Sequence, residues 1–97
     1  MKTRSDYLQL LRLFKETKAM SYGIQKIGLF GSVARNEHKE GSDVDVCFEG
    51  IPKGFFAVGG MKCELEELFG CSVDLVRIRE KMDVLFKEQI MKEAIYV

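Results

Sequence analysis

Apolar positions along the chain change their spacing several times, and each change predicts a new element of secondary structure. Residues 3–20 predict a helix, because the apolar residues recur there at three- and four-residue intervals (Tyr7, Leu10, Leu11 and Phe14) and Gly23 lies just past its end. Thr3 and Asp6 form a capping-box pair at its start. Residues 26–31 are instead a short apolar run that ends in glycine, which predicts a buried strand. Residues 43–49 alternate strictly between polar and apolar, which is typical of a second strand.

The second half of the chain repeats this change of period. Residues 55–69 predict a long helix with an inner side formed by Val58, Met61, Leu65 and Leu68. Gly70 is a typical stop signal for that helix. Residues 71–78 predict a third strand, and residues 82–96 predict a final helix with two apolar stripes. In a chain this small, a second stripe favours docking against something else.

The element order predicts an α/β (α+β) protein with a small sheet flanked by helices. The link between the first two strands is only about a dozen residues, with at most a short helix over residues 32–37, which is too short for a full crossover and predicts a mixed sheet. We expect one domain over residues 1–97, in the order α-β-α-β-α-β-α.

Charge and composition narrow the classes of partner. Lys and Arg number 15, as do Asp and Glu, so there is no basic surplus that would favour a nucleic acid. No apolar run approaches the length of a membrane span, and the N-terminus lacks a secretory h-region. The three cysteines have no CxxC spacing, which favours reduced thiols in a cytoplasmic protein. A chain of this size would gain stability from a homo-oligomer or a partner.

Three aspartates are candidates for a metal site. Asp43 and Asp45 lie two residues apart on a predicted strand and therefore project from the same face. If the strand that carries Asp74 lies beside them, three carboxylates meet at one patch. Oxygen ligands of this kind suit Mg²⁺ or Mn²⁺. The alternative is a solvated strand face on which acidic residues only keep an edge from pairing.

A candidate phosphate-binding turn precedes the aspartates. Gly31 ends an apolar strand and Ser32 opens a possible short helix, so backbone N–H groups and a hydroxyl could approach a phosphate. Neither a Walker loop nor a GxGxxG pattern is present.

The whole stretch GSVARNEHKEGSDVDV, residues 31–46, resembles the signature of the nucleotidyltransferase superfamily that includes DNA polymerase β and kanamycin nucleotidyltransferase. More narrowly it resembles the minimal nucleotidyltransferases, whose pattern is G-S-x-A-R-G followed by S-D-[IV]-D. The matching positions are Gly31, Ser32, Ala34, Arg35, Ser42, Asp43 and Asp45, while VDLV resembles the third-carboxylate strand with Asp74. Asn36 stands where the family commonly has Gly, and Asn tolerates a positive φ.

The resemblance implies transfer of a nucleoside monophosphate from a triphosphate, with ATP the expected donor. Asp43 and Asp45 would hold two Mg²⁺ ions, and Asp74 would ligate the ion nearest the acceptor. Gly31 and Ser32 would bind the triphosphate, and Arg35 and Ser42 share the nucleotide-binding motif. Two alternatives stay open for Arg35, which could face the phosphates or brace the loop by pairing with a carboxylate.

Residues outside the motif receive weaker interpretations. Lys62 could reach a phosphate, but the favoured interpretation is that it lies on the solvent-exposed face of its helix. A catalytic role for His38 is disfavoured. The glutamates of the helix that carries Lys62 are expected to face solvent: Glu64, Glu66 and Glu67.

The acceptor follows only from the resemblance. Stand-alone minimal nucleotidyltransferases are similar to antitoxins that transfer AMP to a tyrosine of an all-helical HEPN ribonuclease, which implies such a partner here. One rival is a module that neutralises its partner by contact without catalysis. Another is nucleotidylation of a small molecule, which usually needs an added domain.

Overall fold

In the computed structural model, which describes residues 1–97, the N-terminal helix ends at Tyr22, two residues beyond its predicted end, and Gly23 caps it as predicted. It consists of α1 (Arg4–Phe14), a π-helical turn (Lys15–Ala19) and the short α2 (Met20–Tyr22). The predicted capping box is present: Thr3 Oγ1 accepts from the Asp6 amide, and the Asp6 side chain accepts from the Thr3 amide. Tyr7, Leu11 and Phe14 form its buried side.

Four strands form one mixed sheet: β1 (Ile24–Phe30), β2 (Val44–Gly50), β3 (Val73–Arg77) and β4 (Ile95–Tyr96). Their spatial order is β3-β2-β1-β4. Strands β2 and β3 are parallel, whereas β1 is antiparallel to both of its neighbours. The prediction of a mixed sheet flanked by helices is confirmed.

Helices cover both faces of this sheet. The remaining ones are the single turn α3 (Gly31–Ala34), α4 (Ala57–Phe69) and α5 (Val84–Glu93). The larger core packs α1 and α4 against one face, around Leu11, Phe48 and Leu65. A smaller core under α5 contains Phe30, Cys47, Ile78 and Ile90. Because α5 lies on that second face, it forms one wall above the ends of the strands that carry the aspartates.

The C-terminal segment differs from its prediction. The last helix ends at Glu93, and Ile95–Tyr96 is the fourth strand rather than two further helical residues. The strand fits beside β1 because Gly28 has no side chain: a β-carbon there would lie 2.7 Å from the Ile95 carbonyl oxygen. Its apolar residues therefore pack on the sheet instead of forming a helical stripe.

Two other interpretations are also corrected. Helix α4 begins at Ala57, two residues later than predicted, and its buried residues recur every four positions: Ala57, Met61, Leu65 and Phe69. Val58 lies beside this stripe and is 41% exposed. Glu66 is not solvent-facing: its Oε2 accepts a 3.0 Å hydrogen bond from the Val73 amide. This bond fixes α4 to the first residue of β3, one residue before Asp74. None of the helices combines the length and the apolar composition that a membrane-spanning segment requires.

Candidate active site

A cleft of about 450 Å³ opens between the sheet and α5 at the end of the sheet where β1 stops and β2 and β3 begin. Its polar lining comes from separate parts of the chain: Gly31, Ser32, Arg35, Asp45, Asp74, Gln89 and Glu93. Phe30, Phe86 and Ile90 contribute apolar surface. One concave surface is thus lined by five of the residues predicted for the site: Gly31, Ser32, Arg35, Asp45 and Asp74.

Two of the three predicted carboxylates are brought together by the parallel pairing. Asp45 and Asp74 are register partners on β2 and β3, and both line the cleft. Asp43 precedes β2, is exposed, and is not one of the lining residues. It is nevertheless close enough for its charge to act on Asp45.

The acid–base properties of Asp45 reflect this crowding. Partial burial raises the pKa of Asp45 to about 6, and the charges of Asp74 and Asp43 act in the same direction. Arg35 acts in the opposite direction but does not cancel them. The site therefore has negative potential that a bound cation would relieve.

The turn between β1 and α3 lies directly against Asp45. Gly31 adopts φ +72°, and a β-carbon built on it would overlap Asp45 Oδ2. A side chain at position 31 would therefore meet both a strained backbone and the carboxylate. The next residue, Ser32, also lines the cleft, so the turn and the aspartate pair face the same space.

The loop that follows has a structural role of its own. Ser42 does not line the cleft; its Oγ accepts from the Lys39 amide at 3.0 Å and closes the loop. Asn36 adopts the positive φ expected of it, +61°. His38 contacts the Lys2 carbonyl oxygen at 2.8 Å through Nε2. The loop sets the distance between the Gly-Ser turn and β2, and its contacts give Ser42 no direct role in the cleft.

Arg35 pairs with carboxylates, which is the second of its two predicted roles. Its Nη1 donates to Glu93 Oε1 at 2.8 Å, and its Nε lies 3.3 Å from Glu37 Oε1. The hydrogen bond with Glu93 is the largest cause of a raised Arg35 pKa. The other Glu93 oxygen, Oε2, accepts from the Gly31 amide at 3.1 Å.

Glu93 was missed by the sequence reasoning. It lies three residues after the buried Ile90 and seven after Phe86, so it continues the stripe that packs on the sheet. A carboxylate at the end of an apolar stripe was the available signal. Its location in the cleft depends on how α5 docks, and the helical pattern alone does not determine that docking.

The donor set fits a hard divalent cation that also binds substrate. Asp45 and Asp74 supply carboxylate oxygens, and Mg²⁺ is usually held by one or two carboxylates together with substrate phosphates. No group of three His, Cys, Asp or Glu residues converges on one point in the chain. The protein ligands available to a metal ion are therefore the two aspartates, and not a complete coordination shell.

Comparisons with known proteins agree with this geometry. The family model described as a nucleotidyltransferase domain matches residues 10–97. The chain is 33% identical over 99 residues to protein adenylyltransferase MntA of Thermococcus cleftensis, covering 100% of this chain and 98% of the relative. It is 38% identical over 79 residues to a Methanocaldococcus jannaschii protein provisionally named a protein adenylyltransferase, covering 80% of this chain and 84% of the relative.

Solved structures share the fold. One provisionally named a minimal nucleotidyltransferase superposes with a TM-score of 0.72 at 31% identity, covering 95% of this chain and 89% of that chain. Another is a tri-AMPylated HEPN toxin of Shewanella oneidensis in complex with an MNT antitoxin, with a TM-score of 0.59 at 20% identity and coverage of 96% and 66%. A toxin–antitoxin structure with AMP-PNP gives a TM-score of 0.72 at 20% identity, with coverage of 94% and 71%.

Proposed function

Because the chain belongs to the nucleotidyltransferase domain family, we propose that it transfers AMP from ATP to a tyrosine hydroxyl of a HEPN-type partner. The proposed reaction depends on Mg²⁺ and inactivates the partner, which is a toxin. In this reaction the hydroxyl oxygen forms a bond to the α-phosphorus, the bond from that phosphorus to the β-phosphate bridge breaks, and pyrophosphate leaves. The hydroxyl proton passes to a carboxylate or to solvent.

One observation supports the proposal above all others: the Asp45–Asp74 pair and the Gly31–Ser32 turn line the same cleft. A phosphoryl group held by the turn would lie beside two carboxylates from adjacent strands. Bound divalent cations supply charge that stabilises the attacking and leaving oxygens. The chain's own contribution is to position these groups, which is the main requirement of phosphoryl transfer.

The three predicted metal ligands and Ser32 have proposed roles. Asp43 and Asp45 are the proposed ligands of the Mg²⁺ ions, and Asp74 is the proposed ligand on the acceptor side. Asp74 is exposed at the mouth of the cleft, so a hydroxyl from another molecule can approach it. Ser32 is proposed to contact the triphosphate.

A protein acceptor fits the surface beside the cleft. The outer side of α5 exposes apolar side chains next to the cleft wall, with Val84 65%, Leu85 77% and Met91 46% exposed. Exposed Glu88 and Lys92 lie between these side chains, so this surface offers a partner protein both apolar and charged contacts. The T. cleftensis relative is named a protein adenylyltransferase, and the S. oneidensis neighbour is an antitoxin bound to an AMPylated HEPN toxin. These likenesses support a HEPN-type acceptor.

The experiment uses the purified protein, the HEPN-type protein encoded beside it, Mg²⁺, and ATP labelled at either the α- or the γ-phosphorus. We expect label from the α position, and none from the γ position, to enter the partner. Asp45→Asn should abolish transfer, whereas Glu40→Gln, a change of equal charge in the exposed loop, should leave it intact. Tyrosine-to-phenylalanine variants of the partner then locate the acceptor.

The alternative is a module that neutralises its partner by contact alone. The exposed side of α5 favours this second candidate, because docking needs no chemistry. This candidate predicts tight binding of the partner and no transfer of label. It also predicts that Asp45→Asn neutralises the partner as well as the unaltered chain does. Transfer that persists in Asp45→Asn would contradict the catalytic role proposed for Asp45, and any transfer of label to the partner would contradict neutralisation by contact alone.

A further inference from the structure

We propose that Glu93 is a positioning residue for the nucleotide site: from the end of α5 it holds the Gly31 amide and the Arg35 guanidinium in the arrangement that receives the triphosphate. The identity of the ligand rests on the proposed function. The role of Glu93 rests on contacts within the chain.

Glu93 uses both of its carboxylate oxygens on groups of the Gly-Ser turn and its helix. Oε2 accepts from the Gly31 amide at 3.1 Å, and Oε1 accepts from Arg35 Nη1 at 2.8 Å. Its side chain is only 17% exposed. Bonds of this charge-assisted kind fix geometry more strongly than neutral hydrogen bonds. One side chain thus connects the first residue of α3 to the residue that follows the helix.

The turn is confined from two directions. Asp45 lies against the Cα of Gly31 from the side of β2, and Glu93 binds the Gly31 amide from the side of α5. Because Glu93 occupies that amide, the side-chain donors left for the triphosphate among the lining residues are those of Ser32, Arg35 and Gln89. Loss of the Glu93 contacts would free the turn to move away from Asp45.

The backbone of Glu93 is itself anchored close to the turn. The next residue, Ala94, donates its amide to the Ile90 carbonyl oxygen at 2.8 Å. Strand β4 then pairs with β1 at Gly28 and Leu29, two to three residues before Gly31. Glu93 is therefore held at a fixed distance from the groups that it binds.

A competing role for Glu93 predicts the opposite change in nucleotide affinity, namely tighter binding when its carboxylate is removed. A carboxylate on the Gly31 amide could act as an internal substitute for phosphate that the nucleotide must displace. The cleft gives a displaced Glu93 no second cation, since Arg35 is the only Lys or Arg among its lining residues. Displacement would also move its charge toward Asp45 and Asp74. The structure therefore favours a fixed Glu93.

The test is the binding of AMP-PNP with Mg²⁺, measured by calorimetry for the unaltered chain and three variants. Gln at position 93 can accept only one of the two hydrogen bonds, and Asp keeps the charge but is one methylene too short. For both Glu93→Gln and Glu93→Asp we expect the Kd to rise about tenfold. The matched control is Glu37→Gln, which removes the other carboxylate beside Arg35 without touching Gly31 and should change the Kd by less than about twofold.

Two further readouts separate positioning from a general loss of structure. In transfer assays the KM for ATP should rise while kcat falls less than about threefold. The Gly31 amide resonance should shift in both Glu93 variants and not in Glu37→Gln. Thermal unfolding of each variant shows whether it is folded. If Glu93→Gln does not fold, the Kd of Glu93→Asp provides the test.

Three outcomes would overturn the proposal: tighter binding by Glu93→Gln, which would make Glu93 a competitor; an unchanged Kd in both Glu93 variants; or a Glu37→Gln effect of the same size. The proposed function can fail separately. If the unaltered chain binds AMP-PNP but transfers no AMP, the role of Glu93 in positioning is still decided by the Kd values.

Discussion

Asp45 and Asp74 are directly paired across the parallel strands β2 and β3, so their side chains emerge side by side into one cleft. Each residue follows a buried valine that anchors its strand in the core, Val44 before Asp45 and Val73 before Asp74. The fold thus places two like charges together by backbone pairing.

The first prediction concerns stability and pH. Because the pKa of Asp45 in the folded chain is raised to about 6, the folded state retains this proton more strongly than the unfolded state. The stabilising contribution is present at low pH and is lost as the pH rises through about 6. Asp45→Asn should therefore raise the free energy of unfolding by about 1–2 kcal/mol near pH 8 without divalent cations, after allowance for partial exposure.

Urea unfolding at two pH values checks this. The stabilisation by Asp45→Asn should nearly vanish near pH 4, where Asp45 is protonated in the folded chain. A variant that destabilises the protein at both pH values would contradict the assignment of electrostatic repulsion at this position.

The second prediction concerns the contact between Gly31 and Asp45. Gly31→Ala adds a β-carbon to a residue at φ +72° and drives it into Asp45 Oδ2, so the variant should lose about 2–4 kcal/mol of stability. Gly41→Ala is the matched control, since Gly41 has φ +85° but no atom within 4 Å of its β-position, and it should lose only about 1–2 kcal/mol. Equal losses in the two variants would mean that backbone strain, and not the contact with Asp45, determines the effect.

The third prediction concerns the strand that the sequence pattern did not predict. Gly28→Ala would bring a β-carbon within 2.7 Å of the Ile95 carbonyl oxygen and 3.1 Å of Tyr96 Cα, both of them backbone atoms. We expect β4 to separate from β1, at a cost of about 1–3 kcal/mol. Hydrogen exchange should show early loss of protection at the Val97 amide, which donates to the Ile27 carbonyl oxygen at 3.1 Å. Unchanged protection there would contradict the observed pairing.

The fourth prediction is a gain of stability. Gly59 lies inside α4, and a β-carbon there would meet nothing within 4 Å. Gly59→Ala should therefore stabilise the chain by about 0.5–1 kcal/mol, because alanine has the better helix propensity and restricts the unfolded chain. Thermal unfolding measures this directly, and a lower melting temperature would indicate a contact at Gly59 that the structure does not contain.

Local patterns predict those parts of the structure that local physics determines. Alternation from Asp43 to Glu49 predicts a strand, and it assigns Val46 and Asp45 to opposite faces, as observed. The capping box at Thr3 and the stop at Gly70 likewise depend on neighbours within one helical turn. Such features need no knowledge of the rest of the chain.

Features that depend on docking between distant segments were missed. Glu93 belongs to the site only because α5 packs over the sheet, and its partner Gly31 is 62 residues away in the sequence. Strand β4 exists because β1 has an unpaired edge and a glycine at position 28. Both depend on tertiary contacts, and at β4 these contacts override the helical pattern of residues 82–96.

The decisive measurement is calorimetry of AMP-PNP binding, with and without Mg²⁺, in the unaltered chain and in Asp74→Asn. Asp74 is exposed, so its replacement leaves the core intact. We expect binding that requires Mg²⁺ in the unaltered chain and is at least about tenfold weaker in Asp74→Asn. Equal affinity in EDTA, or equal affinity in the variant, would contradict a nucleotide site built on the Asp45–Asp74 pair.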